Sequence, residues 1–299
     1  MKSRSVKTLI AVALAASTLA ACGKDDDNNP NPPGNPPPTP KPIVQIANDA
    51  TFGKIMTDST GRSLYFFSSD ADGKNNCAGG CATAWPYFYA GDVTKITLGD
   101  TSLHKEDFAT ISVTQDGKTF NQTTYKGWPL YFFAQDAKAG DVKGDKVGNI
   151  WFVGKPDYTV MIGFKQLVGN DGKNYDSKYD PNGPAGPTRF ITDDRGRTLY
   201  AFTPDKANTN TYTKADFSNN ATWPIFELTG IKNVPSTLAK TDFAIIQGVA
   251  GTHTQVVYKA HPLYYFGPDQ ATRGNTKGVS VPTPGVWPIV NESTAVLAQ

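Results

Sequence analysis

Histidine is scarce in this chain, which has only His104, His253 and His261, and beyond the first 22 residues cysteine is limited to Cys77 and Cys81. The commonest acid–base side chain is therefore nearly absent. No Gly-x-Ser-x-Gly, His-Glu-x-x-His, phosphate-cradling glycine loop or dinucleotide fingerprint occurs, so no motif speaks for a hydrolase elbow, a zinc protease or a nucleotide enzyme. Paired carboxylates could still meet in space, as glycosidases require, but no spacing in the sequence shows it. No apolar run reaches the ~20 residues that span a bilayer; the longest, Leu9 to Ala21, stops at 13. Neither sign of charge dominates, with 29 Lys and Arg against 27 Asp and Glu. The basic residues are scattered, so no field recommends nucleic acid as a partner.

What the chain does have begins with an address. Lys2, Arg4 and Lys7 precede the short apolar stretch, and Leu19-Ala20-Ala21-Cys22 fits the site at which lipoprotein signal peptides are cut. Residues 1–21 are expected to be removed and Cys22 to be lipidated, with several acyl chains giving a stable membrane anchor. Loss of the three basic residues leaves the mature chain near neutral. Gly23 after Cys22 resembles the outer-membrane sorting pattern, and Lys24-Asp25-Asp26-Asp27 resembles a short acidic surface-export signal, although it also reads as an ordinary solvated charge run. From Asn28 to Pro42 eight prolines occur among Asn, Gly, Thr and Lys, a composition that buries no core and forms an extended spacer. The region 22–42 is thus read as an anchor and tether.

The folded remainder, about 255 residues, suits one large all-β domain or two ordinary ones. In an exported chain, Cys77-Ala-Gly-Gly-Cys81 is expected to form a disulfide. Attachment of c-type haem fails because Ala82 follows the second cysteine, and a zinc site lacks further ligands nearby. Internal repetition is more informative. Leu-Tyr-x-Phe-x-x-Asp occurs four times, giving Tyr65 with Asp70, Tyr131 with Asp136, Tyr200 with Asp205, and Tyr264 with Asp269. A tryptophan follows each aspartate after 15 to 18 residues: Trp85, Trp151, Trp223 and Trp287. Longer matches pair the copies as A-B-A′-B′. Asp107-Phe108-Ala109 recurs as Asp242-Phe243-Ala244, and Tyr125-Lys126-Gly127-Trp128-Pro129 as Tyr258-Lys259-Ala260-His261-Pro262. Gly/Asp/Pro/Asn-rich residues 169–187 are read as a linker between a first module, 43–168, and a second, 188–299.

These motifs, with the lipid-modification site and the Cys-x-x-x-Cys before Trp-Pro, resemble the family called the secreted repeat of unknown function, lipoproteins with a Tyr-x-(Phe/Trp/Tyr)-x-x-Asp motif. The resemblance spans all four repeats and implies a surface or periplasmic lipoprotein of unsettled activity. One departure is that the third repeat carries Tyr212 to Asn220 where the first has its cysteine pair.

Tyr and Phe two residues apart share one face of a strand, and Leu and the variable residue face the other. Turn signals such as Asp116-Gly117 and Asp193-Asp194-Arg195-Gly196 open each unit as a β-hairpin. The fold is therefore expected to be all-β, four hairpin units in two pseudo-symmetric modules, the alternative being a small four-bladed propeller-like ring. The aspartates are read as strand-ending Asx-turn acceptors, or else as cation ligands, with Asp70-Ala71-Asp72-Gly73 the best local case. The tyrosines and tryptophans are read as core, or else as a platform for a sugar or another planar ligand; Tyr87, Phe88, Tyr89 and Trp128 are expected to be the more exposed aromatics. No catalytic, metal-ligating or cofactor-binding residue is assigned. Three functions stay open: a noncatalytic surface module that binds or adheres to an unknown ligand or protein, a structural envelope component, and a carboxylate-based hydrolase.

Overall fold

The computed structural model describes residues 43–298. The expected signal peptide, Cys22 and the tether lie outside the described residues. Among the described residues no helix is long and apolar enough to cross a membrane.

Strands β1 (Val44–Asp49) and β2 (Gly53–Asp58) pair antiparallel around a tight turn, in which Asp49 Oδ1 accepts the N–H groups of Thr51 and Phe52 at 2.7 and 2.8 Å. Asp58 then reverses the chain by accepting from Thr60 N and Arg62 N, at 2.8 and 2.9 Å, and leads into β3 (Tyr65–Phe67). β4 (Phe108–Gln115), β5 (Lys118–Tyr125) and β6 (Trp128–Pro129) form an antiparallel sheet. Its hairpin turns at Asp116 and Gly117, both at positive φ (50° and 71°), the primed-turn geometry that Asp-Gly favours. β7 (Trp151–Val153) returns to pair with β3.

The second half repeats this plan with variations. β8 (Val160–Val168), β9 (Asn174–Tyr175) and β10 (Pro187–Asp193) form one sheet in the order β10-β8-β9. The stretch 169–187 thus carries β9, and β8 pairs with β10 across it. β11 (Phe243–Val249), β12 (His253–Tyr258) and β13 (His261–Pro262) reproduce β4 to β6, except that a register shift between Ile246 and Val249 breaks the ladder near Gly248. Among the described residues the fold is all-β, built of small antiparallel sheets with no closed barrel. The longest helices among the described residues have five residues, one of them α1 (Gly80–Ala84).

The two Leu-Tyr-x-Phe segments of each half lie side by side at its centre. Tyr65 and Tyr131 exchange both backbone bonds (2.9 and 3.0 Å), and Tyr200 and Tyr264 do the same (2.8 and 2.9 Å). The residues after each Trp-Pro extend these central ladders, as when Phe132 N donates to Pro86 O and Tyr265 N to Pro224 O. Alternation along the central strands then divides each half into two cores. One face gathers Tyr65, Phe67, Trp85, Tyr131, Phe133 and Trp151; the other gathers Leu64, Phe66, Trp128 and Leu130 with β1, β2 and β4. The second half has the same division.

Candidate functional site

In each half the repeat motifs exchange hydrogen bonds in a crosswise manner. The Tyr65 hydroxyl donates to Asp136 Oδ2 at 2.6 Å and the Tyr131 hydroxyl to Asp70 Oδ2 at 2.5 Å; Tyr200 donates to Asp269 at 2.8 Å and Tyr264 to Asp205 at 2.7 Å. The second oxygen of each aspartate accepts a backbone N–H further along, from Asn76, Lys143, Thr211 and Lys277 respectively for Asp70, Asp136, Asp205 and Asp269. This reaches beyond the two-residue span of an Asx-turn. Each carboxylate ties the loop leaving its own strand to the tyrosine of the neighbouring repeat. All four are buried, and burial pushes their pKa values up, Asp70 to about 7 and Asp269 to about 6, although the tyrosine and backbone donors act in the opposite direction.

Above these pairs the tryptophans stack in twos. Trp85 and Trp151 lie 3.7 Å apart between Phe133 and Phe67, while Trp223 and Trp287, also 3.7 Å apart, lie between Phe266 and Phe202. Gly144 and Gly278 press against the stacks so closely that a Cβ would fall 2.8 Å from the adjoining Tyr and Trp rings. Phe88 and Trp128, expected among the exposed aromatics, are instead buried at 3% and 1%. Phe88 packs against Phe132, and the Trp128 indole N–H donates to Asp194 O across the joint between halves. Tyr89 is exposed. The Cys77–Cys81 disulfide is present beside Trp85, and Tyr212, the counterpart of Cys77, lays its ring edge-on to Trp287 at 4.8 Å.

One repeated constellation is invisible to the motif. Gln122 and Gln255, fully buried in β5 and β12, donate to Leu130 O and Leu263 O at 2.9 Å and accept from Asn75 and Asn210. Their recurrence at the same interval as the modules is the signal that could have found them. The Asp70–Asp72 pair offers no vacant cation cage, because Asp70 holds two donors and Asp72 binds Lys165. Among the described residues no cluster of three or more His, Cys, Asp or Glu is arranged to hold a metal ion.

The repeat residues are thus turned inward. Accessible chemistry collects in a cleft of about 420 Å³ between the halves, walled by Asp107, Lys126 and Asp157 on one side and by Arg197, Glu227 and Lys232 on the other. Its second wall rests on Asp193, buried at 2%, which pairs with Arg197 Nε at 2.6 Å and accepts from the Tyr265 hydroxyl at 3.1 Å. Burial opposes the Arg197 charge, but the Asp193 carboxylate outweighs it and the guanidinium pKa is raised. Lys126 pairs with Asp194, and Arg195 with Asp107, both at 2.7 Å. The pseudo-symmetry separates structural from specific positions here. Asp193 and Arg197 repeat Asp58 and Arg62, whereas Asp194, Arg195, Glu227 and Tyr265 stand where the first half has Ser59, Thr60, Tyr89 and Phe132. Of the cleft's polar groups, Asp194, Glu227 and Tyr265 are therefore additions to the repeat, set beside Asp107, Lys126, Asp193 and Arg197, which recur.

Residues 48–92 and 110–155 each match the family described as a secreted repeat of unknown function. No curated protein and no solved structure matches the chain. The description agrees with an exported chain, and the crosswise Tyr–Asp exchange of the matched repeats recurs in the second half with the same partners. Over its first two repeats, residues 48–92 and 110–155, the chain is thus similar to the family of the secreted repeat of unknown function.

Proposed function

We propose that this chain is a lipid-anchored, noncatalytic binding module of the bacterial envelope, probing its surroundings through the cleft between its halves. The observation that carries this reading is the division of labour just described: the Tyr, Asp, Trp and Gln side chains of the repeat are used up inside the cores, while Asp194, Glu227 and Tyr265, which break the pseudo-symmetry, face a cavity of ligand size. Cys22 and the Pro/Asn-rich stretch up to residue 42 supply an anchor and a spacer of roughly 3.1 Å per residue, enough to hold the body clear of the headgroups. An outer-membrane position, facing outward, fits Gly23 and the acidic run after it.

Two experiments test the reading. Cys22→Ala should abolish incorporation of labelled fatty acid and release the chain from membranes; a variant that stays lipid-labelled refutes the anchor. For binding, the chain is screened against glycans, envelope polymers and surface proteins beside Lys232→Ala and Glu227→Ala, which alter the cleft wall without touching the cores. A ligand whose affinity drops about tenfold in these variants, roughly 1.4 kcal/mol, is the expected result. Ligands indifferent to both substitutions would place binding elsewhere and overturn the cleft assignment.

A further inference from the structure

A second cavity, of about 500 Å³, lies where the end of β8 meets the loop Thr272–Lys277, and it shares no lining residue with the cleft. Lys74, Lys165, Arg273 and Lys277 line it, against the single carboxylate of Asp72, which Lys165 already engages at 2.5 Å. Among the described residues neither Lys74 nor Arg273 forms an ion pair, and the Lys277 ammonium reaches only the carbonyl of Pro268, at 3.3 Å. Four cations around one cavity stand out in a chain that is otherwise near neutral.

Arg273 is the unusual member. Its Nη1 donates to the carbonyls of Lys126, at 2.7 Å, and Arg195, while Nε and Nη2 are buried without a partner. Burial depresses its pKa to about 10. The guanidinium lies over the Trp128 ring at 4.9 Å, and the Asp193, Asp72 and Asp70 carboxylates act on it without forming an ion pair; a buried cation with no direct carboxylate partner is costly, and the repeat does not require one. Gly140 N donates to Gly61 O in the first half as Gly274 N does to Gly196 O in the second, and the side chain meeting Gly61 is Ala139 where Arg273 meets Gly196. Two further exchanges run the same way. Lys165 pairs with Thr188 in the position that Asp49 holds opposite Gly53, and Asn275 accepts from Thr198 as Asp141 does from Ser63. At each of the three positions the second half has gained positive charge or lost negative charge while keeping the backbone plan.

We propose that this cavity is an oxyanion site that takes the phosphate group of a phosphate-bearing ligand. The three lysine ammonium groups supply the direct contacts, as point charges with rotatable donors, and Arg273 supplies a fixed positive charge behind them that the ligand would neutralise. The phosphate could belong to a soluble phosphate ester or to a lipid headgroup, and the chemistry of recognition is common to both.

The test titrates the full chain at low ionic strength with inorganic phosphate, glycerol phosphate and a short-chain phosphatidic acid below its micelle concentration, each against chloride of equal ionic strength, using calorimetry and thermal melting. Saturable binding and a raised melting temperature are expected with phosphate and not with chloride. The double variant Lys74→Gln/Lys277→Gln alters exposed ammonium groups only, so its melting temperature without phosphate should be unchanged and its affinity at least tenfold weaker. Arg273→Ala should lose binding as well; if that variant fails to fold, the double variant still decides. Equal affinity for the three probes assigns the site to the phosphate group alone, and a marked preference for phosphatidic acid assigns it to a headgroup. Absence of saturation, or affinity unchanged in the double variant, refutes the site whether or not the cleft binds a ligand.

Discussion

At the scale of single residues, the four Tyr–Asp pairs determine how the protein responds to substitution and to pH. Tyr131→Phe removes the donor to a buried oxygen of Asp70 and should cost about 1–3 kcal/mol in urea unfolding. Tyr264→Phe should do the same at Asp205, and the two losses should add because the pairs belong to different cores. The pH response follows from burial. Asp70 and Asp269, raised from 3.8 to about 7 and about 6, hold protons in the folded chain that the unfolded chain releases at lower pH. Folding therefore takes up protons in this window, and stability falls as the pH rises from about 4 to 7. Thermal melting should thus occur at a higher temperature at pH 5 than at pH 8, and Asp70→Asn should flatten that difference; an unchanged slope would exclude Asp70 as its source. The residue types, the spacing and the inward-facing tyrosines were legible in the sequence. Which tyrosine serves which aspartate was not, since Tyr65 and Asp136 are 71 positions apart and only strand pairing brings them together.

Elements show where local chemistry ends and packing takes over. Hairpins at Asp116-Gly117 and after Asp58 follow from turn residues that any reader of the sequence can find. The burial of Phe88 and Trp128 does not, because it depends on neighbours supplied by distant segments, Phe132 for one and Asp194 for the other. The loop closed by Cys77–Cys81 is so short that reducing it should cost only about 2 kcal/mol by chain entropy, and the third repeat, with Tyr212 against the same kind of stack, does without the bond. Reduction should lower the melting temperature and leave the tryptophan stacks in place. Those stacks give a direct optical readout: parallel indoles 3.7 Å apart should produce an exciton couplet in circular dichroism, which Trp151→Phe should reduce by about half, leaving the Trp223–Trp287 contribution.

At the scale of the whole molecule, the contacts that join the two halves include Trp128 to Asp194, Lys126 to Asp194, Arg195 to Asp107, Arg273 to the Lys126 carbonyl and Asn233 to Asp157. Trp128 is the largest apolar group among them, and at the same position in the other half stands His261. Trp128→Ala should cost about 3–5 kcal/mol and should convert one cooperative unfolding transition into two, resolved by differential scanning calorimetry. A single transition merely shifted downward would show that the halves are coupled mainly through other contacts, such as Lys165 of β8 with Asp72. The crosswise hydrogen bonds also bear on ancestry. One repeat alone carries a tyrosine without its acceptor and an aspartate without its donor, so it cannot complete its own interior. A lone copy would find both partners in a second copy of itself, turned about a two-fold axis. Each half of the present chain therefore has the geometry of a fused homodimer, and a gene encoding a single repeat should yield a protein that assembles in pairs.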